Sequence, residues 1–190
     1  MRISGGKAKG IILSIPKARK LRPVLEPARE RLFSCLGELV GGASFLDLFA
    51  GTGSHGLEAL SRGAARGAFV ELDSRTVACL RRNLSATCKS AGMEEKNFEI
   101  LTGDALRATP RQPKPFDIVF ADPPYPLLRA IAPKLFLRLL RDGLADLDSL
   151  VILGMPGDFD TVPEDWQLER RLGKPRKGSP THGLFRPVAK

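Results

Sequence analysis

The chain is poor in cysteine and histidine. Its three cysteines, Cys35, Cys79 and Cys88, form no CxxC pair and are odd in number. That pattern reads as reduced, mostly buried thiols of a cytosolic protein, not as a disulfide framework. The two histidines, His55 and His182, are far apart in sequence and near no cysteine pair, which argues against zinc. Long apolar runs are also missing. No segment approaches the roughly 20 residues needed to span a bilayer. The basic start MRISGGKAKG is not followed by an apolar stretch long enough for a signal peptide. The expectation is a cytoplasmic protein. Tyrosine occurs once, and it closes the run Phe120-Ala121-Asp122-Pro123-Pro124-Tyr125.

What is present fits an ordinary globular domain. With 190 residues, 43% hydrophobic and 27% charged, the chain can bury a substantial core without disulfides. The net charge of +9 is unevenly placed: residues 1–31 carry +7, residues 166–190 carry +6 and residues 32–165 carry −4. Two basic ends around a mildly acidic body favour a polyanion partner over a purely solubilising role. Lys7, Lys9, Arg19, Lys20 and Arg22 are the candidate phosphate contacts at the N-terminal end.

The hydrophobic pattern alternates between two periods. Residues 1–25 are rich in Gly, Lys and Pro, with one possible strand at Gly10–Ile15. Arg22-Pro23 disfavours a helix start before about Glu26. From Pro27 to Val40, Ala28, Leu32, Cys35, Leu36 and Leu39 recur at helical spacing, and Gly41-Gly42 ends the helix. Strands are expected at Ala43–Phe49, Ala68–Leu72, Phe98–Leu101, Phe116–Ala121 and Leu150–Leu153, with weaker ones at Trp166–Arg170 and His182–Arg186. Helices are expected through Arg62, from Ser74 to about Ser90, and over Leu127–Arg141. Such alternation implies a parallel sheet covered on both faces. Ligands on such sheets bind beyond the carboxyl ends of the strands.

Four strand ends carry chemistry. Gly51, Gly53 and Gly56 form GxGxxG after the first strand and open a helix whose free N–H groups favour an anionic group. Glu71 lies twenty residues beyond Gly51, where a ribose-binding acid belongs. NAD and S-adenosylmethionine both carry a ribose, so Glu71 does not choose between them. Asp47 faces the helix start and could hold a ligand's ammonium directly or through water. Asp104, with Ala105 beside it, could accept a hydrogen bond from an adenine amino group; a loop aspartate making an Asx turn is an equal alternative.

The fourth end is the DPPY run. An amino nitrogen on a nucleobase is a poor nucleophile because its lone pair is delocalised. The Asp122 carboxylate and the Pro123 carbonyl could accept its two hydrogens and favour attack. Pro123 and Pro124 stiffen the backbone and remove N–H donors. Tyr125 offers a face on which a base can stack. Methyl transfer from a sulfonium then needs mostly positioning.

Asp47–Gly56, Glu71, Asp104 and Asp122–Tyr125 resemble the Rossmann-type S-adenosylmethionine-dependent methyltransferases with a (D/N)PP(Y/F/W) motif, which act on exocyclic amines. The runs Phe45–Gly53 and Gly56–Ala64, and the Arg2-Ile3 start with its Gly-Lys follow-on, are similar to the bacterial 16S rRNA guanine-N2 methyltransferases. His55 stands where that family has an apolar residue. The resemblance implies an α/β, doubly wound, mostly parallel seven-stranded sheet. It implies S-adenosylmethionine as cofactor, and N2 methylation of a guanine in small-subunit rRNA within the 30S particle, by a monomer that needs no metal and no membrane. The expected layout is a basic extension over 1–25 and a methyltransferase domain over 26–190. Rival readings are a DNA adenine-N6 or cytosine-N4 methyltransferase, a non-catalytic RNA-binding protein, or a dehydrogenase that leaves DPPY unexplained.

Overall fold

The computed structural model describes residues 1–16 and 26–189. Arg19, Lys20 and Arg22, three of the candidate phosphate contacts, lie outside the described residues. The first helix, α1 (Glu26–Leu36), continues into a 3-10 turn at Gly37–Val40. Next come β1 (Ser44–Leu48), α2 (Ser54–Ser61), β2 (Arg66–Glu71), α3 (Ser74–Ala91) and β3 (Phe98–Thr102). The chain then makes β4 (Ile118–Ala121), α4 (Tyr125–Arg141), β5 (Leu150–Pro156), β6 (Trp166–Leu172) and β7 (Pro180–Pro187). Every strand and helix expected after residue 26 is present, with ends shifted by a few residues.

The seven strands form one sheet in the order β3-β2-β1-β4-β5-β7-β6. The pairs among β1 to β5 are parallel, while β7 runs antiparallel to both β5 and β6. The chain leaves β1 for β2 and β3 on one side, then returns to place β4 on the other. The crevice where the order reverses lies at the upper ends of β1 and β4.

Side chains alternate between two cores because strand residues alternate between faces. Phe33, Phe45, Phe69, Phe98 and Phe120 fill the face covered by α1, α2 and α3. Leu46, Leu48, Val119, Phe136 and Trp166 fill the face covered by α4.

The N-terminal residues differ from the expectation in two ways. Gly10–Ile15 is not a strand; it makes a single bridge, Arg2 to Ile12. Residues 1–16 also pack closely on the domain, with Ile3, Ala8 and Leu13 buried in the first core. They dock onto α2, whose residues are all buried. Ser61 Oγ accepts the Ala8 N–H at 2.9 Å and donates to the Gly5 carbonyl at 2.6 Å, while the Ser61 carbonyl accepts the Lys7 N–H at 2.7 Å. Gly6 takes φ +76°, and any side chain there would run into the Ser61 backbone. The glycines that read as loop composition are what lets this segment lie flat on the helix.

Candidate active site

Three carboxylates share a site because of the two-residue strand period. Phe45 and Asp47 on β1, Phe69 and Glu71 on β2, and Phe120 and Asp122 beyond β4 are i, i+2 pairs. All three phenylalanines point into the α1–α3 core. Asp47, Glu71 and Asp122 therefore leave the same face, at the upper ends of three adjacent strands.

Asp47 is 2% exposed, and its Oδ2 accepts the Gly56 N–H at 2.9 Å in the first turn of α2. Burial pushes its carboxyl up to about 7; the Gly56 hydrogen bond opposes the rise, and the charges of Asp122 and Glu71 add to it. The charges of Asp122 and Glu71 thus reach Asp47, and a cation brought beside Asp47 would favour its ionised form. Glu71 is half-buried. Its Oε2 accepts the Gly51 N–H and its Oε1 the Asp73 N–H, each at 2.9 Å. It ties the glycine turn to the start of α3. Asp73 caps that helix by accepting the Thr76 N–H at 3.1 Å.

The glycines divide their work. Gly51 has φ +57°, and a Cβ there would meet nothing within 4 Å, so its face is open to a ligand. Gly53 has φ +93°, but a Cβ there would strike Leu57 and Leu80 at 2.8 and 2.5 Å. Gly56 lies equally tight, 2.6 Å from Phe45 by the same measure. Gly53 and Gly56 let α2 pack against the sheet and α3; only Gly51 is placed for close ligand approach. Sequence spacing does not distinguish them.

The Asp122 N–H reaches the Leu48 carbonyl at 3.5 Å, which carries the β1–β4 pairing one residue further. Pro123 is buried and Pro124 exposed. Helix α4 starts at Tyr125, two residues before the expected Leu127, with Pro124 as its N-cap and Pro126 in its first turn. Proline is tolerated there because that N–H has no helical partner. Tyr125, half-buried, therefore sits on a helix end beside Asp122, not in a loop.

Not every candidate residue joins the cluster. Asp104, just past β3, is exposed; its Oδ1 accepts the Leu106 N–H at 2.8 Å and Oδ2 lies 3.8 Å from Arg107, so it makes the Asx turn. Ala105 is buried, and its carbonyl accepts a hydrogen bond from Arg138 of α4. Lys7 and Lys9 are exposed but dock near Ser61, at the far end of α2. At about 1.5 Å per residue, an eight-residue helix puts them roughly 12 Å below the strand ends.

Sequence reasoning missed a histidine pair. His55 on α2 stacks on Phe120 with ring centroids 5.5 Å apart and meets His182 of β7 edge-on at 5.6 Å. Both are buried, and His55 Nε2 has no hydrogen-bond partner among the described residues. Burial holds both below the usual histidine range, His182 at about 4, with Arg31 contributing; His182 and Arg29 add to the effect on His55. The departure from an apolar residue at His55 was the available signal. Phe49, at φ +60°, was also hidden: its left-handed backbone turns the chain sharply at the strand end. Among the described residues, no group of three or more His, Cys, Asp or Glu could hold a metal.

This geometry suits S-adenosylmethionine. Gly51 is left-handed with open space at its Cα, the Glu71 carboxylate is hydrogen-bonded beside it, and Asp47 and Asp122 add further acidic groups on the same sheet face.

Known proteins agree. The family model described as "Conserved hypothetical protein 95" matches residues 1–174. Ribosomal RNA small subunit methyltransferase D of Escherichia coli is 37% identical over 177 residues, covering 90% of this chain and 83% of its own. The solved yhhF protein of Escherichia coli superposes with a TM-score of 0.82 at 31% identity, over 100% of this chain and 99% of its own. An RNA methyltransferase from Salinibacter ruber, in complex with S-adenosyl-L-homocysteine, shares the fold with a TM-score of 0.64 at 23% identity, over 88% and 95%. With its strand-end carboxylates, its open glycine turn and this similarity along nine-tenths of its length, the chain belongs to the family of S-adenosylmethionine-dependent rRNA methyltransferases.

Proposed function

We propose that this protein methylates the exocyclic N2 of a guanine in small-subunit rRNA, acting as a cytoplasmic monomer on the 30S particle. The observation that carries the chemistry is the placement of Asp122, on the same sheet face as Asp47 and Glu71 and next to Tyr125. Guanine is favoured by the similarity of the Phe45–Ala64 run to the guanine-N2 enzymes. The assignment to the small subunit is supported by the name of the Escherichia coli relative.

Bound at the glycine turn, S-adenosylmethionine supplies an electrophilic methyl group on a sulfonium sulfur. Glu71 accepts from the ribose hydroxyls, using lone pairs that Gly51 and Asp73 leave open. Asp47 holds the ammonium end, directly or through water. Asp104 and Ala105 border the adenine side. The Asp122 carboxylate and the Pro123 carbonyl each accept one hydrogen of the guanine amine, which favours pyramidal nitrogen. Asp122 also counters the positive charge that grows on nitrogen during attack. Pro124 stiffens the turn, and Tyr125 stacks on a base drawn out of its helix. The methyltransferase domain is residues 26–190, and the basic extension 1–25 contributes lysines and arginines that grip phosphates.

The test pairs two substitutions. Asp122→Ala should cut single-turnover methylation of undermethylated 30S subunits by on the order of 10²–10³ and leave S-adenosylmethionine affinity nearly intact. Glu71→Ala should weaken S-adenosylmethionine binding by about 1–3 kcal/mol, measured by calorimetry. Digestion of the product RNA should yield N2-methylguanosine. Methyl groups found instead on adenine N6 or cytosine N4 of DNA would favour the rival enzyme. Transfer by Asp122→Ala at the wild-type rate would remove Asp122 from the mechanism.

A further inference from the structure

The sheet face that carries the three carboxylates continues across β5 and β7. Pairing of Ala121 with Leu153 sets Asp122 beside Gly154, one step beyond on β5. Gly154 is in turn the partner of His182 on β7. The face is fixed by the strand period: Ile152 precedes Gly154 by two residues and Leu184 follows His182 by two, and both lie in the α1–α3 core with Phe120. Glu71, Asp122, Gly154 and His182 thus lie at one level of this face, on β2, β4, β5 and β7, with Asp47 two residues lower on β1 between them. Gly154 is the single member without a side chain.

Its backbone does not require glycine, because its φ is not among the left-handed ones. A glycine inside a strand packs nothing and is conformationally costly, and it often marks the close approach of another group. Here that group is the Asp122 carboxyl. A Cβ on Gly154 would stand 2.8 Å from Asp122 Cγ and 3.2 Å from its Cβ, with Oδ1 nearer still. The carboxylate lies where the missing side chain would be. His182 walls this space on the β7 side, and His55 backs His182 with an edge-on contact.

We propose that Gly154 is a positioning residue for methyl transfer: its bare Cα is the seat that holds the Asp122 carboxylate in the orientation that receives the amine. The inference rests on the reading of Asp122 given above. Adding a methyl group at Gly154 forces the end of the Asp122 side chain to rotate away, while its 3.2 Å approach to the Asp122 Cβ asks only a small adjustment of the neighbouring backbone. Misplacement of a reacting group by about 1 Å can cost on the order of 10²-fold in rate.

A double-substitution cycle tests this on the full-length protein with undermethylated 30S subunits. Gly154→Ala should lower kcat by roughly 10- to 100-fold, with no change in S-adenosylmethionine affinity or melting temperature. In the Asp122→Ala background, Gly154→Ala should cause no further loss, because the carboxylate it displaces is gone. Equal factors in the two backgrounds would overturn the proposal, since Gly154 would then act independently of Asp122. So would a wild-type kcat for Gly154→Ala, or a clear fall in its melting temperature, which would place the clash in the fold. If Asp122→Ala alone turned over at the wild-type rate, the reading of Asp122 would fail and Gly154 with it; an impaired Asp122→Ala beside a normal Gly154→Ala would sink only the role of Gly154.

Discussion

Substituting Glu58 should test how the N-terminal segment is held to the domain. Glu58 lies on α2 with its side chain 0% exposed, and it is the hub of a buried network. One carboxylate oxygen accepts from Arg29 Nε at 3.1 Å and the Ser4 N–H at 2.8 Å. The other accepts from Arg62 Nε and the Ser4 hydroxyl, both at 2.8 Å. Arg29 is also 0% exposed and donates to the Arg2 carbonyl as well. In Glu58→Ala the guanidinium of Arg29 keeps its charge in a fully buried site and loses the carboxylate that pairs with it. Breaking one half of a buried ion pair costs about 3–5 kcal/mol. The stranded Ser4 groups overlap with this cost and do not simply add to it. Against a typical domain stability of about 5–15 kcal/mol, that is a large fraction. Glu58→Gln should fall between, because its amide oxygen still accepts while its NH₂ faces guanidinium donors. Urea denaturation at a common m value reads the difference as a shift in midpoint. Amide exchange should quicken at Ile3, Ala8 and Leu13, whose N–H groups depend on the docked segment. A loss below about 1 kcal/mol in Glu58→Ala would refute the reasoning, since water would then be replacing the carboxylate.

Two further outcomes follow from charge. The Asp47 carboxyl, raised to about 7 from 3.8 chiefly by burial, is stabilising in its neutral form at low pH, and that contribution is lost as pH rises toward 7. A cationic ligand favours the ionised form, so S-adenosylmethionine binding should release a proton below about pH 7 and weaken by up to about tenfold per pH unit; calorimetry in buffers of different ionisation enthalpy reads the released proton, and Asp47→Asn should abolish it. Removing residues 1–20 would strip Ile3, Ala8 and Leu13 from the core. The basic extension is therefore better tested by Lys7→Ala and Lys9→Ala, each of which should lower the salt slope of RNA binding by about 0.7; unchanged slopes would mean that RNA does not reach the far end of α2.

Periodicity and strand-end chemistry made much of this protein legible. Alternating periods of two and 3.6 depend on neighbours in the chain, so the helices and strands after residue 26 stood out in the sequence. The same local logic marked Gly51, Glu71 and the DPPY run, because a parallel sheet delivers all its strand ends to one edge. Contacts between distant segments were decided only in three dimensions. The Gly-Lys run near the start and the Gly56–Ala64 run are separated by some fifty residues, and folding sets them against each other through Ser4, Gly6, Glu58 and Ser61. No periodicity reports such a pairing, which is why Gly10–Ile15 read as a strand when it is part of a docked segment. The three glycines of GxGxxG look alike in sequence, yet leucine and phenylalanine side chains crowd two of them and leave Gly51 open. Gly154 lay just past the expected strand Leu150–Leu153 and carried no signal in the sequence. Its place beneath Asp122 is set by strand register, which brings together residues thirty-two positions apart and which a single chain of letters does not encode locally.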